Sequence, residues 1–136
     1  RYWCDMTRTV FFRSVSDEGR RVYETVKAAN MAAEAMIRPG IPMCDIDRAA
    51  RSVIENAGYG PYFTHRLGHG CGLDCHEPPD NASSCQVLTR PGMVFSVEPG
   101  IYLPGKLGVR IEDLVLVTED GCEVLNAASK ELRVVG

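Results

Sequence analysis

All three histidines of this 136-residue chain lie in one short, glycine-rich stretch, residues 65–79. Glycine occupies every second position from Gly68 to Gly72. Because glycine lets the backbone turn sharply and approach other groups closely, the pattern predicts a tight, exposed strand or loop and disfavours a helix. Imidazole titrates near neutral pH and binds metals through a neutral ring nitrogen. We therefore predict chemistry at this stretch; three unrelated surface histidines are the alternative.

Length and composition indicate one domain with a substantial core. The net charge of −3 provides neither a basic surface for nucleic acid nor a polybasic patch for membranes, and no apolar run is long enough to span a bilayer. We expect a cytoplasmic protein without nucleic-acid or membrane partners, whose six cysteines are free thiols. The alternative is a thiolate zinc site built on Cys71 and Cys75 with the neighbouring histidines, although the sequence lacks a second matching cysteine pair.

The apolar periodicity predicts two helices among strand-like segments. Apolar residues recur at three- and four-residue steps over residues 17–37, after the capping sequence Ser16-Asp17-Glu18, and again over residues 45–57. Strands are predicted at residues 2–12, 93–103 and 109–117, with closing strands at 122–125 and 132–135 and a polar surface loop at 80–91. The chain should therefore form an α+β domain in which both helices are core scaffolding without a chemical role.

Carboxylates interrupt the strand-like segments at Asp5, Glu98 and Glu112. A buried carboxylate without a partner costs several kcal/mol, so each should face a cation, a metal ion or hydrogen-bond donors unless it lies on the solvent face of its strand. Together with His69 they form an oxygen-rich set with one imidazole, which suits Mn²⁺, Co²⁺, Fe²⁺ or Zn²⁺. Carboxylates can also bridge two such ions about 3.5–4 Å apart.

Five short motifs occur in order along the chain: Asp5-Met6-Thr7-Arg8-Thr9, His65-x-x-Gly68-His69-Gly70-x-Gly72, His76-Glu77-x-Pro79, Glu98-Pro99-Gly100 and Arg110-Ile111-Glu112-Asp113. Together they resemble the pita-bread metallopeptidases, in particular the Xaa-Pro dipeptidases (prolidases) and the Xaa-Pro aminopeptidases. The resemblance extends to Lys130-Glu131-Leu132 near the C-terminus. It implies a partial pita-bread α+β fold: a strongly curved antiparallel sheet with the two helices on its convex face and the metal ligands on its concave side.

The resemblance also implies a ligand set for two divalent ions. His69 and Glu98 would bind the first ion, and Asp5 and Glu112 would bridge both. Mn²⁺ is the expected metal, with Co²⁺, Zn²⁺ or Fe²⁺ as alternatives. Glu98 would in addition carry a proton during catalysis, as general acid–base carboxylates do.

Three further residues receive roles from the same resemblance. His65 and His76 would hydrogen-bond the substrate beyond the scissile bond and stabilise the tetrahedral intermediate. Arg110 would orient the nearby carboxylates, unless it is an ordinary arginine on a strand surface. The implied reaction is metal-dependent hydrolysis of the peptide bond before proline in dipeptides or short peptides. The alternative is a non-catalytic pita-bread binding module.

The resemblance implies that residues 1–136 are the C-terminal part of a catalytic domain, without its upstream half or the separate N-terminal domain of prolidases. A further family ligand, an aspartate upstream of Asp5, would then lie before Arg1. We accordingly expect the 136-residue chain to bind at most one ion and to have very low peptidase activity. The oligomeric state stays open, although enzymes of this type are commonly homodimers.

Overall fold

Two α-helices and nine short strands form the fold, and the computed structural model describes residues 1–136. In chain order they are β1 (Phe11–Phe12), α1 (Asp17–Met36), α2 (Met43–Asn56), β2 (Gly68–Gly70), β3 (Glu77–Asn81), β4 (Val94–Val97), β5 (Gly100–Leu103), β6 (Leu107–Arg110), β7 (Asp113–Val117), β8 (Cys122–Val124) and β9 (Val134–Val135). A 3₁₀ turn at Gly60–Tyr62 follows α2. Neither helix combines the length and hydropathy needed to cross a bilayer.

Both predicted helices are present. The Ser16 hydroxyl caps α1 by accepting a hydrogen bond from the Gly19 N–H at 3.0 Å. Helix α2 begins two residues earlier than predicted, at Met43, where the backbone N–H groups of Met43 and Cys44 donate to Val87 and Cys85. The helices pack against each other, and α1 also packs on β4, β5 and β6. Their contribution to the core consists mainly of Val22, Val26, Ala29, Ala33, Ile46, Ala50 and Ile54.

The strands form one larger sheet and two smaller ones. The five-stranded sheet has the order β3-β2-β4-β7-β8 and is antiparallel throughout. Strands β5 and β6 form a separate antiparallel pair, and β1 pairs with β9 in parallel. The α+β prediction is confirmed, and the strands are divided among three sheets because the chain changes partners at two carboxylate motifs.

The first change of partner is at Glu98-Pro99. The predicted strand 93–103 ends in β4 at Val97 and resumes as β5 in another sheet. Proline has no N–H to donate to a ladder, so the strand cannot continue unchanged through Pro99. Glu98 lies at this break, where its backbone N–H donates to the Leu67 carbonyl at 2.8 Å.

The second change of partner is at Ile111-Glu112. The predicted strand 109–117 is divided into β6 and β7, because Ile111 donates to Pro99 whereas Glu112 pairs with Thr7. In the first part of the predicted strand 2–12, the pairing of Thr7 with Glu112 is the only β-bridge. The segment becomes a regular strand only at Phe11–Phe12. Strand-like sequence forms a ladder only where a partner lies alongside, so most of this segment stays outside the sheets.

The glycine-rich stretch was predicted to be exposed, but residues 67–71 are buried. A Cβ on Gly68 would lie 2.0 Å from the Ser96 carbonyl oxygen, and one on Gly70 would lie 2.5 Å from that of Glu77. These glycines therefore permit close packing of β2 between its neighbours. The predicted loop 80–91 likewise begins inside β3, and its Thr89 is buried.

Alternation along β4 and β7 separates the core from a second face. Phe95 and Val97 of β4, with Val115 and Val117 of β7, belong to the core that includes the helices. Successive side chains of a strand point to opposite faces, so Ser96 lies on the face away from the helices. Glu98 continues that alternation, and its side chain contacts Ser96. This second face carries the predicted site.

Candidate metal centre

The structure brings together the four predicted ligand residues. Asp5, His69 and Glu112 each place one potential ligand atom within 4.8 Å of the others. The His69 Nε2 atom lies 3.3 Å from Glu98 Oε1 and 3.9 Å from Asp5 Oδ2. These residues come from the N-terminal segment, β2, the end of β4 and the β6–β7 junction. Convergence from four segments makes a compact group of three carboxylates around one imidazole.

His69 is held so that one ring nitrogen faces the carboxylates. Its ring is almost fully buried, its backbone N–H donates to Ser96 Oγ at 2.9 Å, and Nδ1 lies 3.0 Å from the Gly70 carbonyl oxygen. A carbonyl only accepts hydrogen bonds, so Nδ1 carries the proton. In the neutral ring Nε2 then presents its lone pair toward Glu98 and Asp5, the arrangement found in metal-binding histidines.

Glu98 is fixed by a hydroxyl and approached by a cation. Ser96 Oγ donates to Glu98 Oε1 at 3.2 Å, and Arg110 Nη1 lies 3.9 Å from Glu98 Oε2. The side chain of Glu98 is 13% exposed, so one oxygen faces the ligand group while the residue keeps access to solvent.

Glu112 is the most deeply buried of the three carboxylates. The Thr7 hydroxyl donates to its Oε2, and Arg110 Nε lies 4.0 Å from the same oxygen. Burial raises the pKa of Glu112, and the neighbouring charges of Glu98 and Asp5 raise it further, against the opposing effects of Thr7 and Arg110. The group therefore holds more negative charge than it can stabilise by itself, which favours a bound cation.

Glu112→Gln should stabilise the metal-free protein at neutral pH, raising its Tm by roughly 2–5 °C. The pKa of Glu112 is higher in the folded chain than in the unfolded chain. Glu112 therefore contributes fully to the free energy of unfolding only below the ordinary glutamate pKa, and this contribution is lost as the pH rises through the raised pKa. Thermal unfolding with chelator present should thus show a higher Tm for Glu112→Gln at pH 7 and no such increase near pH 4. Exposed Glu123→Gln is the control, and an unchanged Tm for Glu112→Gln at pH 7 would contradict the expectation.

Arg110 and His65 lie on one flank of the group. Arg110 is 43% exposed and donates from Nε to Thr7 Oγ1 at 3.2 Å, in addition to its approach to two carboxylates. The half-buried His65 ring uses both nitrogens, at 2.7 Å from the Arg66 carbonyl oxygen and at 3.1 Å from the Tyr102 hydroxyl. Burial lowers the pKa of His65, which favours the neutral ring. A substrate contact of His65 would therefore replace its hydrogen bond with Tyr102.

His76 lies beside the group on its open side. Its ring stands edge-on to that of His69, with centroids 4.1 Å apart and an interplanar angle of 86°. Unlike His69, the residue is exposed. It can therefore reach a substrate bound at the carboxylates, and its assigned role stays a prediction, as do those of His65 and Arg110.

Several residues that support these ligands have no role predicted from the sequence. Thr7 and Ser96 each lie two residues from a ligand carboxylate and share its strand face, so period-two alternation could have identified both. Tyr102 folds back over Gly100, and its hydroxyl oxygen would lie 2.5 Å from a Cβ at that position. This packing places the hydroxyl beside His65, a contact that no sequence pattern indicates.

Helix α2 also holds the backbone beside the site, in addition to filling the core. Its Asp47 is fully buried and accepts hydrogen bonds from Arg51 at 2.8 and 2.9 Å and from the Leu67 N–H at 3.1 Å. Arg51 in turn donates to the carbonyl oxygens of Phe63 and His65. The pair therefore fixes the backbone that leads into β2. The spacing of four residues between Asp47 and Arg51 was the available signal.

The cysteines do not support the thiolate alternative. All six are free, and the group of residues that could hold a metal contains none of them. Cys75 Sγ lies 3.4 Å from Asp5 Oδ2, and Cys71 Sγ lies 3.8 Å from the Trp3 carbonyl oxygen. Burial, followed by the influence of Asp5, raises the pKa of both thiols and disfavours the thiolates that zinc requires.

Known proteins resemble this chain in both sequence and structure. The chain is 51% identical over 129 residues to a protein of Staphylococcus haemolyticus named as an uncharacterized peptidase, a match covering 95% of this chain and 37% of that protein. The crystal structure of dipeptidase PepE from Mycobacterium ulcerans has a TM-score of 0.97 and 43% identity, covering 98% of this chain and 36% of that one. An Xaa-Pro dipeptidase from Bacillus anthracis has a TM-score of 0.97 and 41% identity, with 98% and 38% covered.

The chain thus spans little more than a third of the length of these relatives. Similarity of this extent to solved dipeptidase structures confirms the predicted pita-bread α+β fold. The sequence model described as metallopeptidase family M24 matches residues 1–119, and the chain therefore belongs to that family.

Proposed function

We propose that the protein is a metal-dependent peptidase that cleaves the bond before proline in dipeptides or short peptides. The observation that carries the proposal is the orientation of His69, whose Nε2 faces Glu98 and Asp5 while Nδ1 donates to the Gly70 carbonyl. Family membership supports the peptidase activity. The preference for proline is supported by a 41% identical solved relative that is named an Xaa-Pro dipeptidase.

The donor set fits a divalent ion. Asp5, Glu98 and Glu112 supply carboxylate oxygens, and His69 supplies one neutral imidazole nitrogen, a combination that suits Mn²⁺ and also Co²⁺, Zn²⁺ or Fe²⁺. These four residues are proposed to hold the metal. When bound, a divalent ion supplies Lewis acidity, which polarises the scissile carbonyl and makes water a better nucleophile at neutral pH.

Glu98 is proposed to move the proton. Its carboxylate takes a proton from the attacking water and delivers it to the nitrogen of the leaving proline. Ser96 holds Oε1 at 3.2 Å, which fixes the plane of the carboxylate during both transfers. Arg110, 3.9 Å from Oε2, keeps the side chain from turning away from the ligand group.

His76 is proposed to bind the substrate carbonyl. Its exposed ring beside His69 can donate a hydrogen bond to the oxygen on which negative charge develops in the transition state. His65 is proposed to contact the substrate on the proline side, where Tyr102 now occupies its Nε2. The substrate would then lie across the ligand group, with donors on two sides of the scissile bond.

We further propose that residues 1–136 are the C-terminal part of a larger catalytic domain, because they span only 36–38% of the solved relatives. Because only four residues supply metal ligands, we expect calorimetric titration with Mn²⁺ to show one weakly bound ion per chain. Asp5 and Glu112 alone would make a poor second site, because affinity depends on ligand number and geometry.

Activity is tested in parallel by hydrolysis of Ala-Pro, with Ala-Ala as the matched substrate. We expect slow cleavage of Ala-Pro and slower cleavage of Ala-Ala. Two tightly bound ions with rapid turnover would show that a further ligand comes from outside the described residues. A protein that binds Mn²⁺ but cleaves neither dipeptide would support the non-catalytic module instead.

A further inference from the structure

Arg8 lies beside the metal centre without contacting any of its ligand atoms, and all its hydrogen-bond donors are used. The side chain is 13% exposed. A guanidinium carries five N–H groups in a rigid planar fork. Its partners are the Ser129 carbonyl for Nε, the Thr7 and Glu112 carbonyls for Nη1, and the Asp113 carboxylate and Ala128 carbonyl for Nη2. A side chain with fewer donors could not satisfy all of these acceptors at once.

Asp113 ties Arg8 to helix α1 through a second cation. Asp113 is fully buried, with Arg8 Nη2 at 2.6 Å from one carboxylate oxygen and Lys130 Nζ at 3.1 Å from the other. Lys130 also donates to Asn30 and Glu34 of α1, each at 2.6 Å. Two cations thus meet two carboxylates, so the buried group is neutral overall. Its position is fixed by the helix and the C-terminal segment together.

This network acts on the metal centre through the backbone. Thr7 and Glu112 form a two-way bridge, with N–H···O distances of 3.0 and 3.4 Å. Arg8 Nη1 donates to both bridge carbonyls, at 2.9 Å for Thr7 and 2.6 Å for Glu112. Asp5 lies two residues before Thr7 on the same extended segment. One guanidinium group therefore clamps together the two chain segments that carry these ligand carboxylates.

We propose that Arg8, supported by Asp113 and Lys130, is a positioning residue that sets the separation of the Asp5 and Glu112 carboxylates and thereby the affinity for the divalent ion. The inference rests on the proposed metal-binding function. Arg8 contacts none of the donor atoms, so its effect should appear in metal affinity. Saturating metal should restore the Michaelis constant to the unsubstituted value.

The test is Arg8→Lys, which keeps the charge facing Asp113 but has only three N–H donors on a flexible stem. We expect the Kd for Mn²⁺, measured by calorimetry on the purified protein, to rise about tenfold. Circular dichroism, together with the Tm measured in the presence of chelator, establishes that the variant is folded at the temperature of titration. Arg20→Lys, at an exposed position on α1, is the matched control and should leave the Kd unchanged.

Asp113→Asn provides a second variant that removes a charge and keeps the volume, and it should weaken Mn²⁺ binding in the same direction. A wild-type Kd for either folded variant would overturn the inference. Absence of Mn²⁺ binding by the unsubstituted protein would overturn it together with the metal assignment. If Mn²⁺ binds and Arg8→Lys weakens it while Ala-Pro is not cleaved, the inference stands and the proposed peptidase activity fails.

Discussion

Replacing His69 with alanine is expected to weaken Mn²⁺ binding by at least about 100-fold and, in the larger catalytic domain proposed above, to lower Ala-Pro hydrolysis by roughly 10³-fold. His69 is the only histidine with a ring nitrogen within 4 Å of the carboxylate group, at 3.3 Å from Glu98 and 3.9 Å from Asp5. Without it, only the three carboxylates remain, and a divalent ion would lose its one nitrogen donor. Calorimetric titration and a dipeptide assay measure the two losses.

Two controls separate loss of a ligand from loss of the fold. The ring of His69 is buried, so its removal also leaves a cavity that destabilises the fold. The Tm measured in the presence of chelator reports this loss of stability separately from the loss of metal binding. His69→Gln keeps a polar side chain of similar size and should also lose Mn²⁺ affinity. If His69→Ala binds Mn²⁺ like the unsubstituted protein, the metal centre has been assigned to the wrong residues.

In the larger catalytic domain proposed above, His76→Ala should lower kcat/KM for Ala-Pro by about 10²–10³-fold, the size expected for one lost transition-state hydrogen bond. The ring lies edge-on to His69, with 4.1 Å between the centroids, but the residue is exposed and makes no hydrogen bond to a ligand residue. Mn²⁺ affinity and Tm should therefore remain at their wild-type values. Steady-state kinetics at saturating Mn²⁺ provide the measurement.

The two histidine variants form a matched pair, because their rings are in contact and only one faces the carboxylates. Parallel loss of metal affinity in both would mean that His76 supports the ligand group. Full retention of Ala-Pro cleavage by His76→Ala would remove His76 from the mechanism. In the expected result, His69 controls metal affinity and His76 controls turnover.

Local sequence determined the helices and the chemistry of the ligand group. The start of α1 follows from the Ser16 cap and its length from the apolar repeat, because both depend on residues within a few positions of each other. The pita-bread α+β fold and the metallopeptidase family were likewise predicted from short motifs, and both are confirmed. The roles assigned to the ligand residues remain predictions, although the structure brings those residues together.

Only the tertiary structure decided where the strands end and how the ligands are supported. The strand-like runs were divided at Glu98-Pro99 and Ile111-Glu112, since a strand ends where its partner changes and the partner is distant in sequence. The Arg8–Asp113 ion pair joins residues 105 positions apart. Periodicity and capping report on neighbours along the chain, whereas such contacts depend on which segments the folded core brings side by side. The amino-acid sequence by itself therefore determined which side chains are available for metal chemistry, and the packing of distant segments determined how they are held.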